Sequence, residues 1–373
     1  MAYVAIRGGA DAIAGSAHMM DALRALAQTD PIALDQIERQ LPLLHSRVLS
    51  EGGLYHPRLA SLALKQALGD SLEAAFFLRA YRSTKPRLGE TAPHDTRGMR
   101  VTRRISAAFK DIPGGQMLGA TPDYLHRLFR YDLMDESSDR FAEITRDWFG
   151  NRPDAARPTT FPKVLDTLRA EGLLAPLDAS DARPFDITRE PLIFPVPRSA
   201  QLATMARGET GGLLALAYSN MRGYGDVHPT VGELRVGYLP VQVPHPVTGK
   251  PMEIGEVQIT ECEIVAMFEK TDTGAPVFTL GYGACFGHNE VKAIAMAILD
   301  RAISVATEKG VKNPSEDPEF VLLHVDGIES MGFCTHYKMP HYVTFQSDMD
   351  RLRAARDKAG TDQAAQEAPD VCQ

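Results

Sequence analysis

Two histidines stand five residues apart in the stretch MGFCTHYKMPHYVTF, which runs from residue 331 to residue 345. On a helix this interval separates the side chains of His336 and His341 by about 140°. On a strand an odd interval places them on opposite faces. Pro340 disfavours a helix that continues through His341. The two imidazoles can therefore converge only if the chain bends between them.

A converging pair of neutral imidazoles would suit zinc, which in closed protein sites usually has four ligands. His336 and His341 alone would leave the shell incomplete, so the other ligands would have to come from a partner, a distant segment or a substrate. The spacing by itself favours a plainer alternative, two unrelated histidines that hydrogen-bond near a turn. His324 and Asp326 could add a third ligand, or they could simply end a buried strand.

A second candidate is the basic stretch RGMRVTRRISAAFKDIPGGQMLG, residues 97–119. Arg100, Arg103 and Arg104 have helical spacing and could share one face, where guanidinium groups would suit phosphate oxygens. The glycine pair after Pro113 could present backbone N–H groups to an anion. The alternative is a basic face that docks onto an acidic neighbouring subunit. The phosphate-binding candidates are Arg100, Arg103, Arg104, Lys110, Gly114, Gly115 and, from a later segment, Arg222.

That later segment is YSNMRGYGDVHPTVGEL, in which glycines alternate with polar residues. Glycosyl transfer passes through an oxocarbenium-like centre and needs a nearby carboxylate and a proton donor or acceptor. Asp226, His228 and Glu261 have suitable chemistry, as does Glu263. The plainer interpretation is a glycine turn between a helix and a strand. The stretch GYGACFG similarly favours a tight strand-to-helix turn over a dinucleotide site.

Composition narrows the class of protein. The 373 residues carry a net charge of −8 and are 44% apolar, which gives no support for binding nucleic acid or a membrane surface. Four cysteines without a CxxC pair favour a reducing compartment. We see no signal peptide and no membrane span, so we expect a cytoplasmic protein.

Periodicity predicts an α+β fold. Residues 1–130 should form a helical N-terminal domain, apart from a short strand in YVAIRGG, and residues 131–200 a proline-rich connecting region. Residues 201–352 should form a mixed C-terminal domain, with strands from about 230 and a helix that starts at Asn289 and stops at Gly310. Residues 353–373 should be a disordered tail.

Several segments together resemble the PhnI subunit family of the bacterial carbon–phosphorus lyase core complex. They occur in the family's order and span nearly the whole chain. The matching segments are YVAIRGG, SEGGL, LALKQALGD, FFLRAYRST, GMRVTRRISAAFKDIPGGQMLG, LALAYSNMRGYGDVHP, GYGACFG and HYKMPHYVTFQ.

The resemblance implies an enzyme subunit that helps a phosphonate such as methylphosphonate displace adenine from ATP. The product would be alpha-D-ribose 1-methylphosphonate 5-triphosphate, and the chain alone would act as a purine nucleosidase. The resemblance also implies zinc at His336 and His341, shared with a partner subunit. The implied partners are PhnG, PhnH, PhnJ and the ATPase-like PhnK and PhnL.

Two rival functions stay open at the level of sequence. One is a non-catalytic scaffold that lends a zinc edge to a partner's active centre. The other is a free-standing metal-dependent hydrolase, whose activity would disappear on chelation without any need for other subunits.

Overall fold

A computed structural model describes residues 9–150, 161–174, 183–224, 228–270 and 275–366. It is 51% helix and 16% strand, with helices in the N-terminal half and an antiparallel sheet in the C-terminal part, which confirms the α+β prediction. The chain divides into two compact units. One comprises residues 32–328, and the other comprises residues 1–31 with residues 329–373. The first unit contains α2 (Leu34–Gln40), α3 (Pro42–Gly52), α4 (Pro57–Gln66), α5 (Ser71–Ser83), α6 (Ser138–Gly150), α7 (Asp166–Ala170), α8 (Arg198–Arg207), α9 (Thr210–Ser219), α10 (Glu290–Lys309) and α11 (Pro318–His324).

The same unit holds a four-stranded antiparallel sheet in the order β1-β2-β3-β4. The strands are β1 (Arg100–Ile105), β2 (Thr230–Pro244), β3 (Pro251–Lys270) and β4 (Pro276–Phe286). The last three lie in the region where strands are predicted, from about residue 230 onward. Successive residues of a strand point to opposite faces of the sheet. On β2 the charged Glu233 and Arg235 lie on one face and the apolar Leu234 lies on the other, and all three are buried.

One face of the sheet packs against α10, the helix predicted after Asn289. The Asn289 side chain accepts a hydrogen bond from the Lys292 N–H at 3.1 Å, which satisfies the first turn. Gly281 and Gly283 let the helix approach β4 closely. A Cβ at either position would lie 2.1 Å from the carbonyl oxygen of Ala297 or Ala293, respectively. Gly281 and Gly283 therefore serve helix packing inside β4, a role that the sequence did not predict, and only Gly287 lies at the predicted strand-to-helix turn.

Strand β1 corrects the helical-face prediction for Arg100, Arg103 and Arg104. These residues pair with β2, and a bulge lies between Val101 and Arg103. The β-branched residues of this segment favour a strand, and an available sheet edge decides the conformation. Helical spacing of three arginines was therefore not evidence of a helix.

The N-terminal helices form a separate hydrophobic cluster that includes Val48, Leu64 and Leu78. Helices α2 and α3 are separate, because Pro42 starts a new helix. Asp70 caps the N-terminus of α5. Its carboxylate accepts the N–H groups of Leu72 at 2.9 Å and Glu73 at 3.1 Å.

Three further predictions from the sequence can be compared with the structure. Residues 161–174, from the region predicted as connecting, are packed through the buried Val164, Leu165 and Leu168. His324 ends helix α11, not a buried strand. The strand predicted in YVAIRGG lies outside the described residues, except for its last glycine.

The second unit contains α1 (Ala10–Leu26), most of α12 (Gly327–Tyr337) and α13 (Tyr342–Gln366). Helix α13 corrects the tail prediction for residues 353–366, where alanine, arginine and glutamine favour helix. Among the described residues, no helix combines the length and apolarity that spanning a bilayer requires.

Candidate functional site

His336 and His341 converge across the turn between α12 and α13. The Met339 N–H donates to the His336 carbonyl oxygen at 3.0 Å, and Pro340 follows before α13 begins. The two Nε2 atoms lie 3.1 Å apart, and the rings are nearly perpendicular at 88°. The chain therefore bends between the two histidines, as their convergence requires.

The geometry of this pair fits two corners of a zinc tetrahedron. Ligand nitrogens 2.0–2.1 Å from zinc are about 3.3 Å apart in a tetrahedral site, close to the observed separation. His341 Nδ1 lies 2.7 Å from the Met339 carbonyl oxygen and donates its proton there, so His341 Nε2 accepts the 3.1 Å hydrogen bond from His336 Nε2, which a metal ion would replace. His336 Nδ1 is buried without a hydrogen-bond partner among the described residues.

Further ligands do not come from the described part of this chain, where no group of three or more His, Cys, Asp or Glu side chains could hold a metal. His324 Nδ1 instead lies 2.6 Å from the Phe320 carbonyl oxygen. Asp326 forms a bidentate ion pair with Arg79 at 2.9 and 2.7 Å. A metal ion held by the histidine pair would therefore need ligands from outside the described part of this chain.

Glu261, a predicted catalytic carboxylate, lies on the sheet face opposite α10 and is only 2% exposed. Its Oε1 accepts hydrogen bonds from Thr96 at 2.7 Å, Lys163 at 2.8 Å and the Tyr282 hydroxyl at 3.0 Å. Its Oε2 accepts from Arg235 at 2.5 Å. Burial raises the pKa of Glu261, but Arg235 and Lys163 outweigh it and lower the pKa to about 2. Glu261 is therefore an ionised, internally bonded group.

The same face of the sheet carries a wider ionic layer. Arg104 donates to Glu233 at 2.6 Å, and Glu233 also accepts the Val164 N–H at 3.0 Å. Arg169 donates to Glu263 at 2.8 Å. Residues 161–174 thus pack on this face through both charges and apolar side chains. We call the layer of Arg104, Lys163, Arg169, Glu233, Arg235, Glu261 and Glu263 the buried ionic layer.

Of the predicted phosphate ligands, the arginines of β1 have protein partners. Arg103 is buried and donates to Glu290, Asp123 and the Leu118 carbonyl oxygen. Arg100 is exposed, pairs with Glu256 at 2.7 Å and stacks on Tyr238. That these arginines bind phosphate stays a prediction.

The glycine loop after β1 has the backbone freedom the sequence suggests, with φ values of +82° at Gly114 and +77° at Gly115. Its carbonyl groups, however, face a cation. Arg104 donates to the Pro113 oxygen at 2.6 Å and to the Gly115 oxygen at 3.2 Å. The Gly115 N–H already donates to Ile112. The loop holds Arg104, and Lys110 beside it is exposed.

The second glycine segment begins with a π-helix at Asn220–Tyr224, a local geometry frequent at functional sites. Arg222 within it is exposed. His228 is exposed, and its Nδ1 lies 3.1 Å from the Pro229 carbonyl oxygen. Asp226 lies outside the described residues. The structure therefore does not bring the three predicted catalytic residues together within its described part.

Comparison with known proteins decides the family. The family model described as "Bacterial phosphonate metabolism protein (PhnI)" matches residues 2–359 of this chain. The chain belongs to the PhnI family. It is 45% identical over 94% of its length to the alpha-D-ribose 1-methylphosphonate 5-triphosphate synthase subunit PhnI of Escherichia coli K12, and covers 97% of that protein.

Two further relatives agree. The subunit of the same name from Rhizobium meliloti 1021 is 41% identical, over 95% of each chain. A protein named as a C-P lyase subunit, HtxH of Stutzerimonas stutzeri, is 66% identical over 99% of this chain and all of its own. The resemblance inferred from the segments is thus confirmed for the PhnI family as a whole-chain similarity.

Sequence reasoning missed Lys163 and Arg235, the cations that hold Glu261 in this PhnI-family chain. A signal existed in GELRVG and TECEIV, where charges alternate with apolar residues. Such alternation normally indicates a solvated face. Only the unusual density of opposite charges on two adjacent strands could have indicated that this face of the sheet is buried.

Sequence reasoning also missed a buried polar cluster at the start of α10. Lys292 is fully buried and donates to the Ser50 hydroxyl at 2.7 Å. Glu51 beside it accepts the N–H and hydroxyl of Thr210 at 2.9 and 2.8 Å. Burial lowers the pKa of Lys292 to about 8. The cluster joins α3 to α9 and α10 within the first unit.

Proposed function

We propose that this chain works in the cytoplasm as the PhnI-type subunit of an assembly that makes alpha-D-ribose 1-methylphosphonate 5-triphosphate. This is the product in the names of two relatives. The partners would be PhnG, PhnH, PhnJ, PhnK and PhnL. Family membership over the whole chain supports the assembly, and the convergence of His336 and His341 is the observation that supports a site on this chain.

The proposed reaction breaks the bond between the anomeric carbon of ATP and adenine N9. A phosphonate oxygen forms the new bond to that carbon, and adenine N9 takes up a proton on leaving. With water as acceptor, the isolated chain would release adenine and ribose 5-triphosphate. A carboxylate near the anomeric carbon would stabilise the oxocarbenium-like centre, and Asp226 and Glu261 are the candidates, with His228 as the proton donor or acceptor.

Zinc would be held by the Nε2 atoms of His336 and His341, and a partner subunit would supply the remaining ligands. A bound zinc ion supplies Lewis acidity and can lower the pKa of a bound water. The Met339 carbonyl fixes the tautomer and orientation of the His341 ring.

A scaffold role is the second candidate, and the buried ionic layer favours it. Glu261, Arg103 and Arg104 are each buried and occupied by internal partners. In that case the catalytic groups would belong to a partner subunit, and this chain would contribute the two histidines of the zinc site.

The test is to follow adenine release from ATP by the purified chain and by the chain assembled with its partner subunits. We expect release from both, with His336→Ala and Asp226→Ala strongly reduced and His324→Ala unchanged. Release by the assembly alone, with no effect of Asp226→Ala, would establish the scaffold role. Absence of release from both preparations would overturn the proposed function.

Zinc is tested separately by equilibrium binding to the assembled complex. We expect His336→Ala and His341→Ala to lower zinc affinity by on the order of 10–100-fold, while His324→Ala, an exposed control, leaves it unchanged. Equal zinc binding in all four proteins would show that the pair holds no metal.

A further inference from the structure

A cavity of about 410 Å³ lies beside the sheet, between the loop after β1 and the first turns of α10. Small-molecule sites usually have volumes in the range of ~300–1,000 Å³, so a ligand of that kind would fit. Aliphatic side chains from four elements form most of the walls: Ile105, Leu118, Val231, Leu234 and Ile294. Within the described part of the chain no charged residue lines the cavity. It therefore suits an uncharged group.

A buried ion pair fixes two of these walls. Arg103 is 2% exposed. It donates to the carbonyl oxygen of Leu118, in the loop, and to the carboxylate of Glu290, at the start of α10. Leu118 lines the cavity, and Glu290 lies one helical turn before the lining residue Ile294. The loop and the helix are thus held at a defined distance from each other.

Two hydroxyl groups at the cavity have capacity to bind a ligand. The Ser106 hydroxyl accepts the N–H groups of Ala108 at 3.2 Å and Phe109 at 3.3 Å, which leaves its own proton to donate. Tyr124 lines the cavity and is 65% exposed, and its hydroxyl has no hydrogen-bond partner among the described residues. The Gln116 carboxamide, by contrast, is used by the backbone of the same loop.

A purine base matches this combination of surfaces. Its two faces are flat and apolar, so they pack against aliphatic walls and stack on an aromatic ring such as that of Tyr124. Its edge carries ring nitrogens and exocyclic groups that hydrogen-bond to hydroxyls. A triphosphate or a phosphonate would lose its hydration here without gaining a cation, and a ribose would place several hydroxyls against aliphatic side chains.

The cavity also lies where the second glycine segment enters the sheet. Val231, a wall residue on β2, follows three residues after His228, the proposed proton donor or acceptor for the leaving base. The Val231 carbonyl oxygen accepts the Ala107 N–H at 3.0 Å, which fixes the loop after β1 against this end of β2. A base bound in the cavity would therefore lie close to the segment proposed to act on it.

We propose that this cavity binds the adenine base of the nucleotide. The base lies between the aliphatic walls, with the hydroxyls of Ser106 and Tyr124 at its edge. The choice of adenine rests on the proposed function, in which ATP donates the ribose. The preference for a flat, uncharged ligand rests on the cavity alone.

The first test is calorimetric titration of free adenine into the purified full-length chain. We expect saturable binding, weakened at least about tenfold by Ala107→Phe, because Ala107 lines the cavity and a ring there would occupy the space of the base. Ala107 is exposed, so the fold should accept the change. Ala355→Phe, at an exposed position of α13, is the matched control and should bind adenine like wild type. Tyr124→Phe removes only a hydroxyl and should weaken binding by about two- to tenfold.

The second test locates the base in the wild-type chain, so it does not depend on how any variant folds. Light converts 8-azidoadenine into a nitrene that attaches to nearby residues, and peptide mapping identifies them. We expect labelling within residues 105–124, 231–234 or 290–294, and we expect free adenine and ATP to prevent it.

Three outcomes would overturn the proposal. They are the absence of adenine binding at millimolar concentrations, equal affinity in wild type and Ala107→Phe, and labelling confined to other segments. Each is distinguishable from failure of the proposed function. A chain that binds adenine here but releases none from ATP would refute the reaction and keep the site, whereas adenine release without binding in the cavity would do the opposite.

Discussion

The ammonium of Lys163 lies 2.8 Å from Glu261, so a segment outside the sheet is joined to the middle of β3 by a buried ion pair. Both groups are more than nine-tenths buried. Lys163 also lies 3.5 Å from Glu263. One cation thus serves two carboxylates on the same strand.

Replacing Lys163 by Met should destabilise the fold by about 3–5 kcal/mol, because Glu261 and Glu263 lose a shared cation without access to water. Urea denaturation measures the change. Arg100→Met is the control: it breaks the exposed pair with Glu256 and should cost less than about 1 kcal/mol. Equal free energies of unfolding for the two variants would contradict the structural role of Lys163.

Glu261 should make the fold sensitive to acid. Its pKa is about 2 in the folded chain against an ordinary value of 4.5, so its ionised form stabilises the fold above pH 4.5. That stabilisation, about 3 kcal/mol, is lost as the pH falls through 4.5 toward 2. The difference in unfolding free energy between wild type and Glu261→Gln should therefore shrink from pH 6 to pH 3. A constant difference would show that Glu261 does not titrate in this way.

Lys292 should act in the opposite direction at alkaline pH. Its folded pKa is about 8 against an ordinary value of 10.5, so the unfolded chain binds more protons between these values. The cost of burying the charged amine is fully present below pH 8 and disappears as the pH rises to 10.5. Wild type should gain stability relative to Lys292→Met over this range, as measured by urea denaturation at pH 7.5 and 10. An equal change in the free energy of unfolding of wild type and Lys292→Met between pH 7.5 and pH 10 would contradict the lowered pKa of Lys292.

Gly283 should not tolerate a side chain. A Cβ there would lie 2.1 Å from the Ala293 carbonyl oxygen, so Gly283→Ala must push α10 away from β4. We expect a loss of about 1–3 kcal/mol in thermal or urea unfolding. Gly98→Ala, where no atom lies within 4 Å of the new Cβ and φ is not positive, is the control and should be nearly neutral.

Much of the fold could be predicted because its signals are local. Alternation predicted β2, β3 and β4, and a cap and a stop predicted the limits of α10. Pro340 predicted the turn that brings His336 and His341 together. Strand β1 was missed because the spacing of its arginines fits a helix as well, and only pairing with β2 decides between them.

The buried ionic layer could not be predicted because it depends on contacts between distant parts of the chain. Lys163 comes from the region predicted as connecting, and it meets a carboxylate 98 residues further along the chain. The prediction of functional residues from the sequence is limited in the same way. The histidine pair is local and could be found, whereas the remaining ligands of the zinc site we propose come from beyond this turn.

Arg104 and Glu233 make a 2.6 Å pair in which neither side chain reaches solvent. A substitution of either residue alone leaves the other as an unpaired charge in the protein interior. A substitution of both residues together leaves no unpaired charge. These two positions should therefore co-vary among relatives, drifting together or staying fixed. A correlation between these two positions in related sequences is thus the evolutionary consequence of this contact.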